Sequence, residues 1–351
     1  MADDPRAHTA GQLLDQAHWC GIMGSPLYER LLQRAAQDVE AGGACWDVLA
    51  AHVEPGRGAA LALRFMAAVH RLVLTGAAPG LAAHYPSAGG TAQGDAWPAF
   101  EEAVRVHREV LAQFVAWPCQ TNEVGRCAAM VFGFLAVAHA TRLPLRLLEV
   151  GASAGLNLRW DLFRYGDGRV RWGDPHSPVD LDGLWDEPPA HVEAAVAVAS
   201  RQGCDLNPLD PANAEHRLRL ESSVWADQAH RIARLRGAVE LAARVPARLE
   251  RASLIDWLPA RLGEPADGQA TVVYHSVVEE YVPAEQRAAF HRLMEEHGAR
   301  ATTRAPLAWV RLEPHPGERR HRLTLRQWPG GAEQPLATCG AHGTAVRRFV
   351  A

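Results

Sequence analysis

The stretch LLEVGASAGLN, Leu147 to Asn157, decides the fold. The run Leu145 to Val150 is apolar apart from Arg146 and the acid Glu149, and it ends on Gly151. A helix start is expected near Gly155. A short apolar run that stops at glycine before a helical pattern is the sign of a buried strand feeding a tight turn. Glycine is required where the backbone turns sharply and a ligand approaches it closely, and the amides of a helix start then face that ligand.

The spacing is Gly-x-x-x-Gly, with Ala152, Ser153 and Ala154 between the glycines, not the Gly-x-Gly-x-x-Gly of dinucleotide sites. That departure favours a loop for S-adenosylmethionine (SAM), which carries no pyrophosphate to cradle. Glu149, Gly151, Ala152, Ser153, Gly155 and Asn157 are the cofactor-binding candidates here. The same five residues also match Gly-x-Ser-x-Gly, the nucleophile elbow of serine hydrolases, with Ser153 as nucleophile. The later histidines His315, His321 and His342 lack an evident Asp partner placed before them.

Outward from this loop, Thr271 to His275 (TVVYH) and Leu307 to Leu312 are further buried strands, with a helix predicted from Pro283 to His297. Arg322 to Trp328 and Ala345 to Val350 alternate as antiparallel strands do. Val192 to Ala199 and Glu215 to Ala243 are expected to be helical, and an irregular insertion is expected near 163–195, around Gly173-Asp174-Pro175. Residues 1–142 carry helical periodicity, interrupted by a Gly- and Pro-rich loop between Gly76 and Pro98. The expectation is an α/β protein: a seven-stranded Rossmann sheet of class I methyltransferase type over 143–351, with an N-terminal all-helical domain over 1–142 that caps the carboxyl edge of the sheet.

Length and composition agree. A chain of 351 residues suits two domains, and 48% hydrophobic against 22% charged residues excludes a wholly disordered protein. A net charge of −4 argues against nucleic acid as a partner. Six cysteines include no Cys-x-x-Cys pair, and neither His315 with His321 nor Cys339 with His342 finds convincing companions, so no metal is expected. The start MADDPRAHTAGQ has no signal-peptide pattern, and the apolar run Ala128 to Ala138 is roughly half a membrane span. A cytoplasmic protein with no membrane partner is expected.

Further candidates sit where strands end. Asp205 in GCDLNP suits the carboxylate that accepts ribose hydroxyls, although it lies 50 residues past Gly155 where ~20 is usual. Asp174 competes with it, and a helix N-cap is the plain alternative. Asp256 and Trp257 follow a predicted third strand and would sit beside the adenine, unless Asp256 caps its helix. His275 ends a strand, with Glu279 and Tyr281 on the next turn. His275, Glu279 or Glu123 would be the base, His275 also a cofactor contact, and Tyr281 a substrate contact. In CQTNEVGR (Cys119 to Arg126), Asn122, Glu123 and Arg126 precede the apolar helix and are candidates to bind substrate.

Six ordered motifs, QTNEVGR (120–126), LLEVGASAGLNLRWD (147–161), WGDPHSP (172–178), GCDLNPLDP (203–211), VWADQ (224–228) and VVYHSVVEEY (272–281), resemble a bacterial family, that of domain of unknown function 2332. Its Rossmann portion is similar to class I SAM-dependent methyltransferases. The resemblance spans nearly the whole chain and implies a fold, not a reaction. Glu279-Glu280 after His275-Ser276 and the CGAHGTAV tail, poor in aromatics, depart from the family pattern. The function expected is SAM-dependent transfer, most simply of a methyl group to a small molecule. The same fold also supports aminocarboxypropyl transfer or cyclisation of SAM, and a non-catalytic SAM-binding scaffold is the reading from another class.

Overall fold

A computed structural model describes residues 4–53, 60–264 and 266–350. The chain divides into two compact units: Met1–Thr121 with Ala214–Ala233, and Asn122–Asn213 with Arg234–Ala351.

The first unit is helical, with long helices Pro5–Ile22, Pro26–Ala41 and Leu61–Leu74 around one apolar core. Ser25 precedes Pro26 as a helix start should, yet its side chain does not cap that helix. Asp227 does: its Oδ2 accepts from Leu27 N at 3.0 Å, while its Oδ1 accepts from Ser25 Oγ at 2.5 Å. Gln228 Nε2 donates to Met23 O at 2.7 Å, and Trp225 is buried in the core. The motif VWADQ therefore fastens a downstream segment to helix ends some 200 residues earlier in sequence, which is why Ala214–Ala233 belongs to this unit. It also breaks the long helix expected over 215–243 into Ala214–Ser222 and Ala229–Arg244. Between Gly76 and Pro98 short turns at Pro79–Ala82 and Pro86–Ala88 replace the featureless loop.

The second unit is built on an eight-stranded sheet. Its strands are β1 (Leu145–Val150), β2 (Val198–Asp205), β3 (Arg248–Arg251), β4 (Ala270–Ser276), β5 (Leu307–Pro314), β6 (His321–Trp328), β7 (Glu333–Cys339) and β8 (Arg347–Arg348). Their order is β3-β2-β1-β4-β5-β6-β7-β8. The first five are parallel, and β6 to β8 return as an antiparallel meander. The sheet thus has one strand more than expected: β7 lies in a stretch not assigned from sequence. The predicted helix over Val192 to Ala199 gives way to coil and the start of β2, whose edge pairs with β1 and β3. The insertion forms a small three-stranded sheet, Arg164–Gly166, Arg171–Gly173 and Asp180–Asp182.

Alternation along the strands fills both faces. Trp309 of β5 joins Leu148, Val150, Phe290 and Trp257 in one cluster, against helices Leu254–Gly263 and Ala284–Gly298. Its neighbour Val310 meets helix Cys127–Thr141 on the other face, so closely that a Cβ on Gly133 would lie 2.6 Å from Val310 Cγ1. The segment Val124–Thr141 is apolar enough to cross a membrane by composition, but 72% of it is buried inside the protein. It is a core helix, and it places the boundary between the units at Thr121/Asn122, earlier than the 142/143 expected.

Candidate functional site

In the parallel half of the sheet the chain leaves β1 toward β2 and later returns on its other side at β4, so the direction of winding reverses between β1 and β4. Ligands of open α/β sheets bind at such a reversal. The loop Gly151–Gly155 follows β1 directly at that place.

The loop is strained and tightly held. Gly151 and Gly155 have φ of 65° and 64°, and Ser153, which is not glycine, has 52°. Such conformations cost side-chain-bearing residues energy and persist only where neighbours enforce them. The neighbours are identifiable. Asp205, at the end of β2, accepts from Ser153 N at 2.8 Å through Oδ2 and from Asn207 N at 2.8 Å through Oδ1. Asn122 Oδ1 accepts from Ala154 N at 3.2 Å and Leu156 N at 3.0 Å, in a buried setting. Asn157 Nδ2 reaches Glu123 O at 3.4 Å. Gly203 of β2 lies under the loop, since a Cβ there would be 2.9 Å from that of Ala152.

Asp174 is elsewhere: it closes a turn in the small sheet by accepting from His176 N at 2.9 Å. Of the two acids that compete for the ribose, Asp205 is the one at the loop. Each of its oxygens accepts one amide, so each keeps a second lone-pair direction.

Glu149 is buried beneath this loop and receives the Tyr274 hydroxyl at 3.3 Å. Burial raises its carboxyl to about 8, against the opposing pull of the Tyr274 hydrogen bond and the Arg159 charge. At neutral pH it carries a proton, so it is a hydrogen-bond donor and not the orienting anion expected.

At the end of β4 the expectations change most. His275 is fully buried, with Nδ1 2.7 Å from Glu313 Oε1. The Trp309 indole donates to its Nε2 at 3.2 Å. The indole can only donate, so Nε2 supplies the lone pair and the proton sits on Nδ1. Both nitrogens are committed in the interior, and His275 is withdrawn as base and as cofactor contact. Glu313 Oε1 also accepts from Val278 N at 3.0 Å and Glu279 N at 3.4 Å. It thereby stabilises Val277 at φ 57°, a conformation exceptional for a β-branched residue. Burial alone would raise the Glu279 carboxyl. The His291 hydrogen bond and the Arg311 charge instead pull it below its ordinary range. So firm an anion is a poor proton acceptor near neutrality. Tyr281 is exposed.

Two other candidates resolve as structural. Asp256 forms a capping box, accepting from Ser253 Oγ at 2.6 Å while its own N–H donates to Ser253 Oγ at 3.2 Å. Trp257 is core. Upstream, Glu123 is buried and caps the turn Val124–Arg126, its Oε1 accepting from Gly125 N at 3.0 Å, so one of its oxygens already has a structural role. Arg126 donates to Ser276 O at 3.2 Å and Ala341 O at 3.0 Å. These residues reach the loop and the end of β4, but they belong to the sheet unit and not to the helical domain expected to supply them, and these bonds go to backbone groups. Asn122 is the loop's brace.

Glu313, Trp309, Arg311 and His291 were missed. Glu313 had a readable signal, since a carboxylate one residue past the predicted strand Leu307 to Leu312 lies at a strand's carboxyl end. Trp309 gave none, because a tryptophan inside a buried strand is indistinguishable from ordinary core.

The fold and the loop thus define a mixed α/β protein with a large, mostly parallel sheet and a braced glycine loop at its point of chain reversal. The chain belongs to the bacterial family described as "uncharacterized protein conserved in bacteria (DUF2332)", whose model matches residues 10–348. No curated protein and no solved structure matches it.

Proposed function

We propose that the carboxyl end of the sheet binds SAM and that the protein is a SAM-dependent transferase acting on a small molecule, with methyl transfer the simplest reaction. The observation that carries this reading is Asp205 clamped to the Gly151–Gly155 loop at the chain reversal between β1 and β4. A carboxylate on the strand beside a glycine loop is what a ribose diol requires. A class I methyltransferase would be the fold's closest functional analogue, although the meander β6-β7-β8 departs from the seven-stranded sheet that analogy predicts. For the transfer itself, the acceptor must lie in line with the sulfonium carbon. With His275 and Glu279 committed elsewhere and one oxygen of Glu123 spent on its turn, proton removal falls to the acceptor's own group or to solvent.

Calorimetric titration with SAM and S-adenosylhomocysteine tests this. The informative variant is Asp205→Asn, which removes the charge and keeps one of the two acceptors, enough for Ser153 N but not also for Asn207 N. Gly151→Val is unsuitable, because a Cβ at Gly151 would stand 2.6 Å from Val278 Cγ2 at positive φ and would strain the fold whatever binds.

One observation favours a second reading. Ser153 holds a positive φ between a strand and a short helical segment, Leu156–Leu162, as the nucleophile of a hydrolase elbow does. Labelling of Ser153 by a fluorophosphonate probe would establish it; an unlabelled, SAM-binding protein would dismiss it.

A further inference from the structure

The helical unit contains a small open cleft, far in sequence from the glycine loop. Arg64, Arg71 and Arg219 line it, with Phe114, Trp117 and Ala68 among the apolar walls. Among the described residues no carboxylate lines it. We propose that this cleft is a second binding site, for the oxyanion group of a small molecule whose apolar body lies against Trp117.

The guanidinium groups are held before any ligand arrives. Arg71 lies over the Phe114 ring at 4.7 Å and the Trp117 ring at 5.6 Å, and Arg219 over Trp117 at 5.2 Å. Stacking of this kind orients a guanidinium while leaving its edge N–H groups for a planar acceptor. Arg219 Nη2 is fixed further by Pro118 O at 2.8 Å. Arg71 spends Nη2 on Glu215 at 2.7 Å, a carboxylate half-exposed outside the cleft lining, while its Nη1 is buried with no hydrogen-bond partner in the protein. A buried N–H without an acceptor is costly, and an oxyanion in the cleft would satisfy it. Burial also lowers the Arg219 guanidinium's proton affinity, a sign that the cleft is poorly solvated and that charge there is felt strongly. Carboxylate and phosphate both match the guanidinium fork.

The test uses the full-length protein with two probes, inorganic phosphate and benzoate, followed by calorimetry and thermal shift. Saturable binding of either, weakened more than about tenfold in folded Arg71→Gln and Arg219→Gln variants, supports the site. Tighter phosphate binding identifies a phosphorylated ligand, and tighter benzoate binding a carboxylate on a flat body. No binding of either probe overturns the proposal, as does binding that both variants retain unchanged. Should Arg71→Gln fail to fold, Arg219→Gln decides alone. Crystals of the unaltered protein soaked in whichever probe binds tighter provide an independent check: its oxyanion at Arg71 Nη1 supports the site, and its absence there overturns it.

Discussion

The two units bury polar groups by different means. In the helical unit, His70 is fully buried with Nδ1 3.1 Å from Ser222 O and Nε2 2.7 Å from Ser87 Oγ, and Asp227 is spent on a helix start. Both of these groups are matched, and the motif that brings Asp227 there is a staple. In the sheet unit, Asn122 and Asp205 are spent on the amides of one loop, and Glu149 is left below it with a single long bond from Tyr274. The lesson is that a dense polar motif marks a demanding backbone as often as it marks chemistry. VWADQ and QTNEVGR are both dense in polar groups; one fastens helices, the other shapes the loop for which ligand binding is proposed.

The contrast is broken most severely at Asn122. Asn122→Ala leaves the buried amides of Ala154 and Leu156 without their acceptor and should cost about 2–4 kcal/mol in denaturant unfolding. It should also abolish ligand binding at the loop. A loss under about 0.5 kcal/mol would mean the loop holds its shape unaided.

The two buried titratable groups should pull stability in opposite directions. Burial raises Glu149 from 4.5 to about 8, so the folded chain keeps a proton that the unfolded chain releases across that window. Its contribution is complete below pH 4.5 and is lost as pH rises through 8. Burial lowers His70 from 6.5 to about 4, so below 6.5 the unfolded chain takes up a proton the folded chain refuses. That contribution is complete above pH 6.5 and is lost as pH falls through 4. Each effect is on the order of 3–5 kcal/mol. Melting temperature against pH should be bell-shaped, Glu149→Gln should flatten the alkaline arm, and His70→Gln the acid arm. An arm that survives its own substitution contradicts the assignment.

A smaller effect sharpens the staple. Asp227→Ala removes the acceptor for Leu27 N and should cost about 1–2 kcal/mol, leaving binding at the glycine loop unchanged. Altered ligand affinity in this variant would mean the staple acts on the site.

How much of this was legible follows the same divide. The strand, the glycine turn and the acid Asp205 were readable because period-two apolar runs and glycine positions are local signals. The strands β1, β4 and β5 were found for that reason, whereas the start of β2 was read as helix, β3 was placed too late, and β7 was missed: Glu333–Cys339 is interrupted by Pro335, and an edge-side strand with proline carries no clean alternation. The end of β4 was misjudged because His275 looks identical in sequence whether it faces a ligand or a buried Glu313. Only the tertiary neighbours Trp309 and Glu313 distinguish the two. Asp256 and Glu123 failed for a simpler reason: carboxylates just ahead of or within a first helical turn usually serve that helix.

The most direct measurement is titration of the purified protein with SAM and S-adenosylhomocysteine, in parallel with Asp205→Asn. The account predicts saturable binding of both ligands to the unaltered chain and an affinity about ten- to a hundredfold weaker in the folded variant. Absence of binding to the unaltered protein, or equal binding by the folded variant, would contradict it.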